Sequence, residues 1–225
     1  MKTSYYMVSA FLVLLILGNA CNEPITDFGF DGGIYGKVVD QNGNIVPGDI
    51  ASGGFMIRAL GEGDEVSMDM RVKGDGTFAN LKLYPKKYTV RVEGPVFPVE
   101  EVAIDLTGGQ QVEHNFTVTP FLTIATPTLN GAATATEIKI NYSIVGNEGK
   151  TAGTKEVYCS TVPYPNASTG SGPAYETKKV TLGATSGIAS ITGLTSGKKY
   201  FIRVGSKATG ASAFNYSDQL VVTTP

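Results

Sequence analysis

The sequence predicts an all-β protein built as two tandem β-sandwiches, and three observations carry that expectation. Apolar and polar residues alternate along many short stretches, the period of a strand with one buried face. Glycine-bearing turn signals separate those stretches at short intervals. No window from Gly33 onward keeps an apolar 3.6-residue period for three helical turns. The 225 residues are 42% hydrophobic and 17% charged, a composition that supports packed cores. A formal net charge of −2 gives no electrostatic reason to expect nucleic acid as a partner.

Residues 1–20 read as an export signal rather than as fold. Lys2 supplies a positive start, residues 7–17 are almost wholly apolar, and Gly18, Asn19 and Ala20 lead to Cys21. The apolar run is shorter than the roughly 20 residues a membrane-spanning helix needs. A cysteine directly after the cut resembles a bacterial lipobox, which implies a lipidated Cys21 as the mature N-terminus. Leu17 stands four residues before Cys21, where the strict motif has Leu at three. Gly18 and Ala20 also fit an ordinary signal-peptidase site at the same bond. The second cysteine, Cys159, bears on this choice. If Cys21 carries lipid, no intramolecular disulfide exists, and Cys159 reads as a buried free thiol in a strand. Residues 21–32 are polar and aperiodic and read as a flexible, mildly acidic tether.

The strands follow in order. Val66, Met68, Met70 and Val72 share one face, as do Tyr88, Val90 and Val92, and then Ile138, Ile140, Tyr142 and Ile144. Turns are expected at Asn42-Gly43, Gly74-Asp75-Gly76, Gly108-Gly109, Asn147 to Gly149 and Ser196-Gly197. Pro120 and Pro127 bracket a seam, with a first strand of the second half expected between them. The expected domains are residues 33–119 and 120–225, each the size of one small sandwich.

Two resemblances refine this. Gly36-Lys37-Val38-Val39-Asp40, then Gly74-Asp75-Gly76-Thr77-Phe78, Asn80-Leu81, Pro85 and the Tyr88 strand resemble the carboxypeptidase regulatory-like, transthyretin-like sandwich. Lys86 and Lys87 stand where that family usually has Gly, and the resemblance implies a packing module without peptidase chemistry. In the second half, Leu194 and Tyr200, then Tyr216-Ser217 before an alternating strand, resemble a fibronectin type III module, with Leu194 and Tyr200 as its tyrosine corner. That family's usual Trp is absent, because the chain has none. Together with Gly94-Pro95-Val96-Phe97-Pro98 and Val118-Thr119-Pro120-Phe121, the whole mature chain resembles the outer-membrane lipoprotein family catalogued as domain of unknown function 3823. The resemblance implies an accessory lipoprotein of polysaccharide-utilisation loci, lipid-anchored in the outer membrane and surface-exposed, with the periplasmic face as the alternative.

Catalytic chemistry is not signalled. His114 is the only histidine, so no second one shares a zinc or builds a histidine pair. No Ser lies in a Gly-x-Ser-x-Gly turn, and residues 61–65 are acidic without the spacing of a calcium loop. The reading is therefore no enzyme, no cofactor and no metal. Glycan binding needs a planar aromatic edged by hydrogen-bonding groups. Residues 158–175 supply Tyr164, Asn166 and Tyr175 in a long loop rich in Pro, Ser and Gly, and these three are the candidate ligand residues. The same loop also fits a decorative insertion. Phe97, between two prolines, fits packing against Phe121 across the seam better than ligand binding. Two functions stay open. One is an accessory glycan-binding or glycan-capture lipoprotein, with oligo- or polysaccharide as partner. The other is an interaction module that binds another outer-membrane component, such as an importer.

Overall fold

Alternating sequence becomes paired strand throughout the described chain. The computed structural model describes residues 29–50 and 54–225, and it assigns no helix among them. The export signal, Cys21 and residues 22–28 of the tether lie outside the described residues. Strand β1 (Gly32–Val39) begins inside the stretch read as tether, because Gly32 already pairs with Leu83. A side chain at Gly32 would crowd Leu106, so its place in the core edge is sterically set.

The first half adds β2 (Met56–Gly61), β3 (Met68–Arg71), β4 (Thr77–Leu83), β5 (Lys87–Glu93), β6 (Val102–Asp105), β7 (Gln111–Glu113) and β8 (Phe116–Thr117). One sheet runs β4-β1-β7, with β8 also pairing β1, and the other runs β3-β2-β5-β6. β1 pairs β4 antiparallel but β7 and β8 parallel. The inward residues of both sheets, among them Ile34, Ile57, Phe78, Val90 and Phe116, form one core. Tyr88, Val90 and Val92 are all buried, as their alternation predicts. β3 departs from expectation. Met70 and Val72 are buried, but Val66 is 78% exposed and Met68 is half exposed. β3 is an edge strand held only by β2, and it is too short to carry Val66 over the core.

The expected turns form. Gly76 is the instructive one: its φ is +73°, and a Cβ there would stand 2.5 Å from Ile45. Both the left-handed backbone and the close approach demand glycine.

The second half holds β9 (Leu122–Ile124), β10 (Thr128–Leu129), β11 (Glu137–Gly146), β12 (Ala152–Ser160), β13 (Thr177–Thr181), β14 (Ser186–Thr192), β15 (Lys199–Ala208), β16 (Asn215–Tyr216) and β17 (Leu220–Thr223). One sheet is β10-β11-β14 with β9 on β11, and the other is β13-β12-β15-β16 with β17 on β15. Ile138, Ile140, Tyr142 and Ile144 all enter a second core, against Val157, Ile202 and Val204. β9 falls inside the stretch expected to open this half.

Tyr200 forms the corner its resemblance implies. Its hydroxyl accepts a hydrogen bond from the Thr195 N–H at 2.9 Å and donates to Glu176 Oε2 at 2.9 Å. Glu176 also accepts from Thr195 Oγ1 and pairs with Lys178. Burial alone would raise the Glu176 carboxyl, but the bonds from Tyr200, Thr195 and Lys178 hold it below its ordinary value. A carboxylate lowered by folding stabilises the fold at neutral pH, and that contribution is lost as pH falls through its folded pKa. Tyr200→Phe should therefore cost about 1–3 kcal/mol at neutral pH, from an orphaned N–H and a weakened carboxylate. The variant should also lose stability less steeply on acidification below the ordinary carboxylate range. Urea unfolding at pH 7 and at pH 3–4 checks both.

Candidate functional site

Strand alternation on β15 sends Tyr200, Ile202 and Val204 into the second core. The opposite face carries Phe201, Arg203 and Gly205. In register, Tyr158 of β12 lies beside Arg203, and Tyr216 of β16 lies beside Gly205. Gly205 matters here because a Cβ would meet the Tyr216 ring at 2.8 Å and the Tyr158 ring at 2.9 Å. With glycine there, both rings close over the strand, and Phe214 stacks on Tyr216 at 5.6 Å.

The middle of this outer face, at Arg203 and Gly205, is not solvated. Arg203 is fully buried, and groups from both halves cover it. Its Nε–H donates to Ser217 O at 3.0 Å within the second half, and its Nη2 donates to Gly48 O of the first half at 3.2 Å. The guanidinium lies 4.5 Å from the Tyr216 ring centre and 5.9 Å from that of Tyr164. Nη1 has no hydrogen-bond partner. Burial pulls the Arg203 pKa down to about 10, against the opposing pull of Tyr216, Asp49 and Asp218, so the group stays charged at neutral pH. Burial, with the nearby Asp49 carboxylate, raises Tyr216, whose hydroxyl accepts the Ala167 N–H at 3.2 Å.

The loop between β12 and β13 forms the other wall. Tyr158 belongs to β12 and is buried, so the loop starts after Ser160 rather than at residue 158. Tyr164 has φ +53°, a left-handed backbone that costs a non-glycine residue about 1 kcal/mol or more. Its N–H donates to Gln219 Oε1 at 2.9 Å, which helps fix it there. The Tyr164 ring packs on Gly74 of the first half, where a Cβ would fall 2.4 Å from it. Asn166 is buried and closes its own turn: its N–H meets Thr169 Oγ1 at 2.9 Å, and its Oδ1 accepts the Ser168 N–H at 2.9 Å.

Between these walls is a cleft of about 310 Å³, lined by Asp49, Lys73 and Gly74 on one side and Tyr164, Asn166 and Arg203 on the other. The structure thus brings Tyr164 and Asn166 together and adds Arg203, Asp49 and Lys73. Tyr175 does not line this cleft. It is exposed, and its ring folds back over Gly172, whose N–H donates to Tyr175 O at 3.0 Å. Sequence reading missed Arg203, because alternation labels its face polar and nothing local reveals that the first half covers that face.

Other candidates are structural. Phe97 meets Phe121 edge-to-face at 5.1 Å, with Lys150 Nζ 4.6 Å above the Phe121 ring. Asn215 ties the same seam: its Nδ2 donates to Pro95 O at 2.9 Å, and its Oδ1 accepts the Leu122 N–H at 3.1 Å. His114 is half-buried against Phe116, with ring centres 4.6 Å apart. In the 61–65 turn, Asp64 pairs with Lys86. Among the described residues no group of three or more His, Cys, Asp or Glu could hold a metal ion.

These observations define a two-sandwich, all-β protein with an aromatic, charged cleft where its halves meet. No family model and no curated protein matches the chain. Solved structures do share its fold. A DUF3823 family protein from Bacteroides ovatus is 17% identical, covering 86% of this chain and 99% of that one, with a TM-score of 0.69. A DUF3823 family protein from Parabacteroides merdae is 20% identical, covering 85% and 98%, with a TM-score of 0.67. A protein from Bacteroides uniformis described as a "putative carbohydrate binding protein" is 19% identical, covering 87% and 100%, with a TM-score of 0.67. The fold of this chain is therefore the fold of DUF3823 family proteins.

Cys159 is a free, fully buried thiol, and burial, with Glu176 nearby, pushes its pKa up to about 12. A thiol held protonated and dry is a poor nucleophile. In a Cys21→Ala background, iodoacetamide at pH 8 should leave native protein unlabelled and label Cys159 once the chain is unfolded; mass spectrometry reads both.

Proposed function

We propose that this chain is a non-catalytic envelope lipoprotein, anchored through Cys21 in the outer membrane, that binds glycan in the cleft between its two sandwiches. The observation that carries the reading is the cleft itself. It places the planar ring of Tyr164 beside amide, hydroxyl and charged groups, the combination that grips a sugar by its C–H face and its hydroxyls. The cleft is held open by backbone-anchored contacts rather than by loose side chains, so it is preformed. The Bacteroides uniformis protein of the same fold supports the carbohydrate reading. A two- or three-chain lipid on Cys21 would anchor stably, since each buried methylene contributes roughly 0.8 kcal/mol.

A second reading rests on a different surface. Tyr35 and Leu81 are exposed on the outer face of the β4-β1-β7 sheet, with Leu81 against Gly33. Such a face suits a partner protein of the envelope, an importer component for example. Pull-down from outer membranes with wild type and with Tyr35→Ser/Leu81→Ser separates the readings, because that double variant should leave glycan retention intact.

Tyr164→Ala should lower retention in affinity gels of the retained polysaccharide at least tenfold, with circular dichroism confirming the fold. No retention of any polysaccharide by wild type would remove the glycan reading. Metabolic labelling with palmitate should mark wild type and not Cys21→Ala, whose product should leave the membrane fraction.

A further inference from the structure

One sheet of the second half ends on an unguarded edge. β14 pairs β11 through seven consecutive residue pairs, from Ser186 with Ser143 to Thr192 with Glu137. Among the described residues no other strand pairs with β14. The ladder fixes which way its main chain points. Ile144 N–H donates to Thr185 O at 2.7 Å, so Thr185, Gly187, Ala189 and Ile191 turn their N–H and C=O groups to β11. Lys139 and Ser143 of β11 turn theirs the other way, where their carbonyls accept from Asn130 and Ala125. By the same alternation, Ser186, Ile188, Ser190 and Thr192 aim their N–H and C=O groups at the open rim. All four residues are exposed, Ile188 by 59%.

Open strand edges invite another chain, and proteins blunt them with charge or by keeping them short. β4 carries Lys82, and β13 carries Lys178 and Lys179. β3, β6, β7, β10 and β17 have four residues or fewer. β14 has seven residues, with no charge and no proline among them. The charged groups beside it are paired already, Lys139 with Glu137 and Lys178 with Glu176.

We infer that β14 pairs with β14 of a second copy of this chain, antiparallel about a two-fold axis at Ala189. In that register Ser186 faces Thr192 of the second copy and Ile188 faces its Ser190. All four rim-facing residues of each copy then exchange main-chain hydrogen bonds at once. A contact of this kind is self-complementary and uses up both edges, so it closes as a dimer and does not grow into a fibre. A neutral strand brings no like charge across the axis. The two Ile188 side chains become diagonal neighbours, about 7–8 Å apart, and cover each other's exposed apolar surface. One strand pair is smaller than the roughly 1,200 Å² of a stable complex, so the dimer is weak in free solution and gains where copies are held on one surface.

Sedimentation velocity and cross-linking test this on the purified mature chain carrying Cys21→Ala. With β14 unaltered, the sedimentation coefficient should rise with concentration from monomer toward dimer. Ile188→Lys, an exposed change that sets two ammonium groups across the axis, should hold the chain as a monomer at every concentration without altering the urea midpoint. Ser190→Cys should be joined into a dimer by a short bismaleimide, since the two copies of residue 190 lie on the other diagonal. Val145→Cys, exposed on the side of β11 that meets β9, should give at least tenfold less dimer. A monomer at every concentration, equal cross-linking at the two positions, or a dimer that Ile188→Lys leaves intact overturns the pairing.

Discussion

A full positive charge sits where water does not reach, and the arrangement of the two sandwiches depends on it. Arg203 projects from the centre of the second half's larger sheet, on the face away from its own core. Leaving a guanidinium dry is expensive unless its donors are met. Two of its nitrogens are met by main-chain carbonyls, one from each half, and two aromatic rings lie over its plane. Main-chain carbonyls are fixed points, so the bond to Gly48 O sets the position of Gly48 against β15. A shift of either half would strand the charge, which makes the seam a defined geometry.

The other seam contacts are consistent with that constraint. Gly74 gives way to the Tyr164 ring, Asn215 bonds Pro95 across the join, and Phe97 packs on Phe121. Val96 bridges Pro120, so the connecting segment is itself paired rather than free. Residues 31–225 accordingly form one compact unit that contains two hydrophobic cores. A cleft bounded by such contacts keeps its shape without a ligand, and preorganisation of this sort lowers the entropic cost of binding.

The single histidine is packed against a phenylalanine, and the one described cysteine is protonated and buried. The cleft gathers an aromatic ring, two cations, two carboxylates and a few amide and hydroxyl groups.

Alternation, turns and apolar content were legible in the sequence, because a strand's burial is written residue by residue. Ile138 to Ile144 and Tyr88 to Val92 enter their cores as their period requires. Gly76 announces its turn, and Tyr200 announces its corner through its own hydroxyl. The edge strand β3 misled, since exposure of Val66 depends on what stands beside the strand and not on its period. The candidate site was half legible. Tyr164 and Asn166 were marked by loop length and composition, but Tyr175, of the same loop and composition, turns elsewhere. Arg203, Gly74 and Asp49 belong to segments far apart in the chain, and only the packing of one sandwich on the other's outer face makes them a site. A local pattern reports which side of a strand is apolar. Whether the polar side meets water or another domain is decided by tertiary structure, and that is how Arg203, on the side of its strand away from the core, is a buried charge between the two halves.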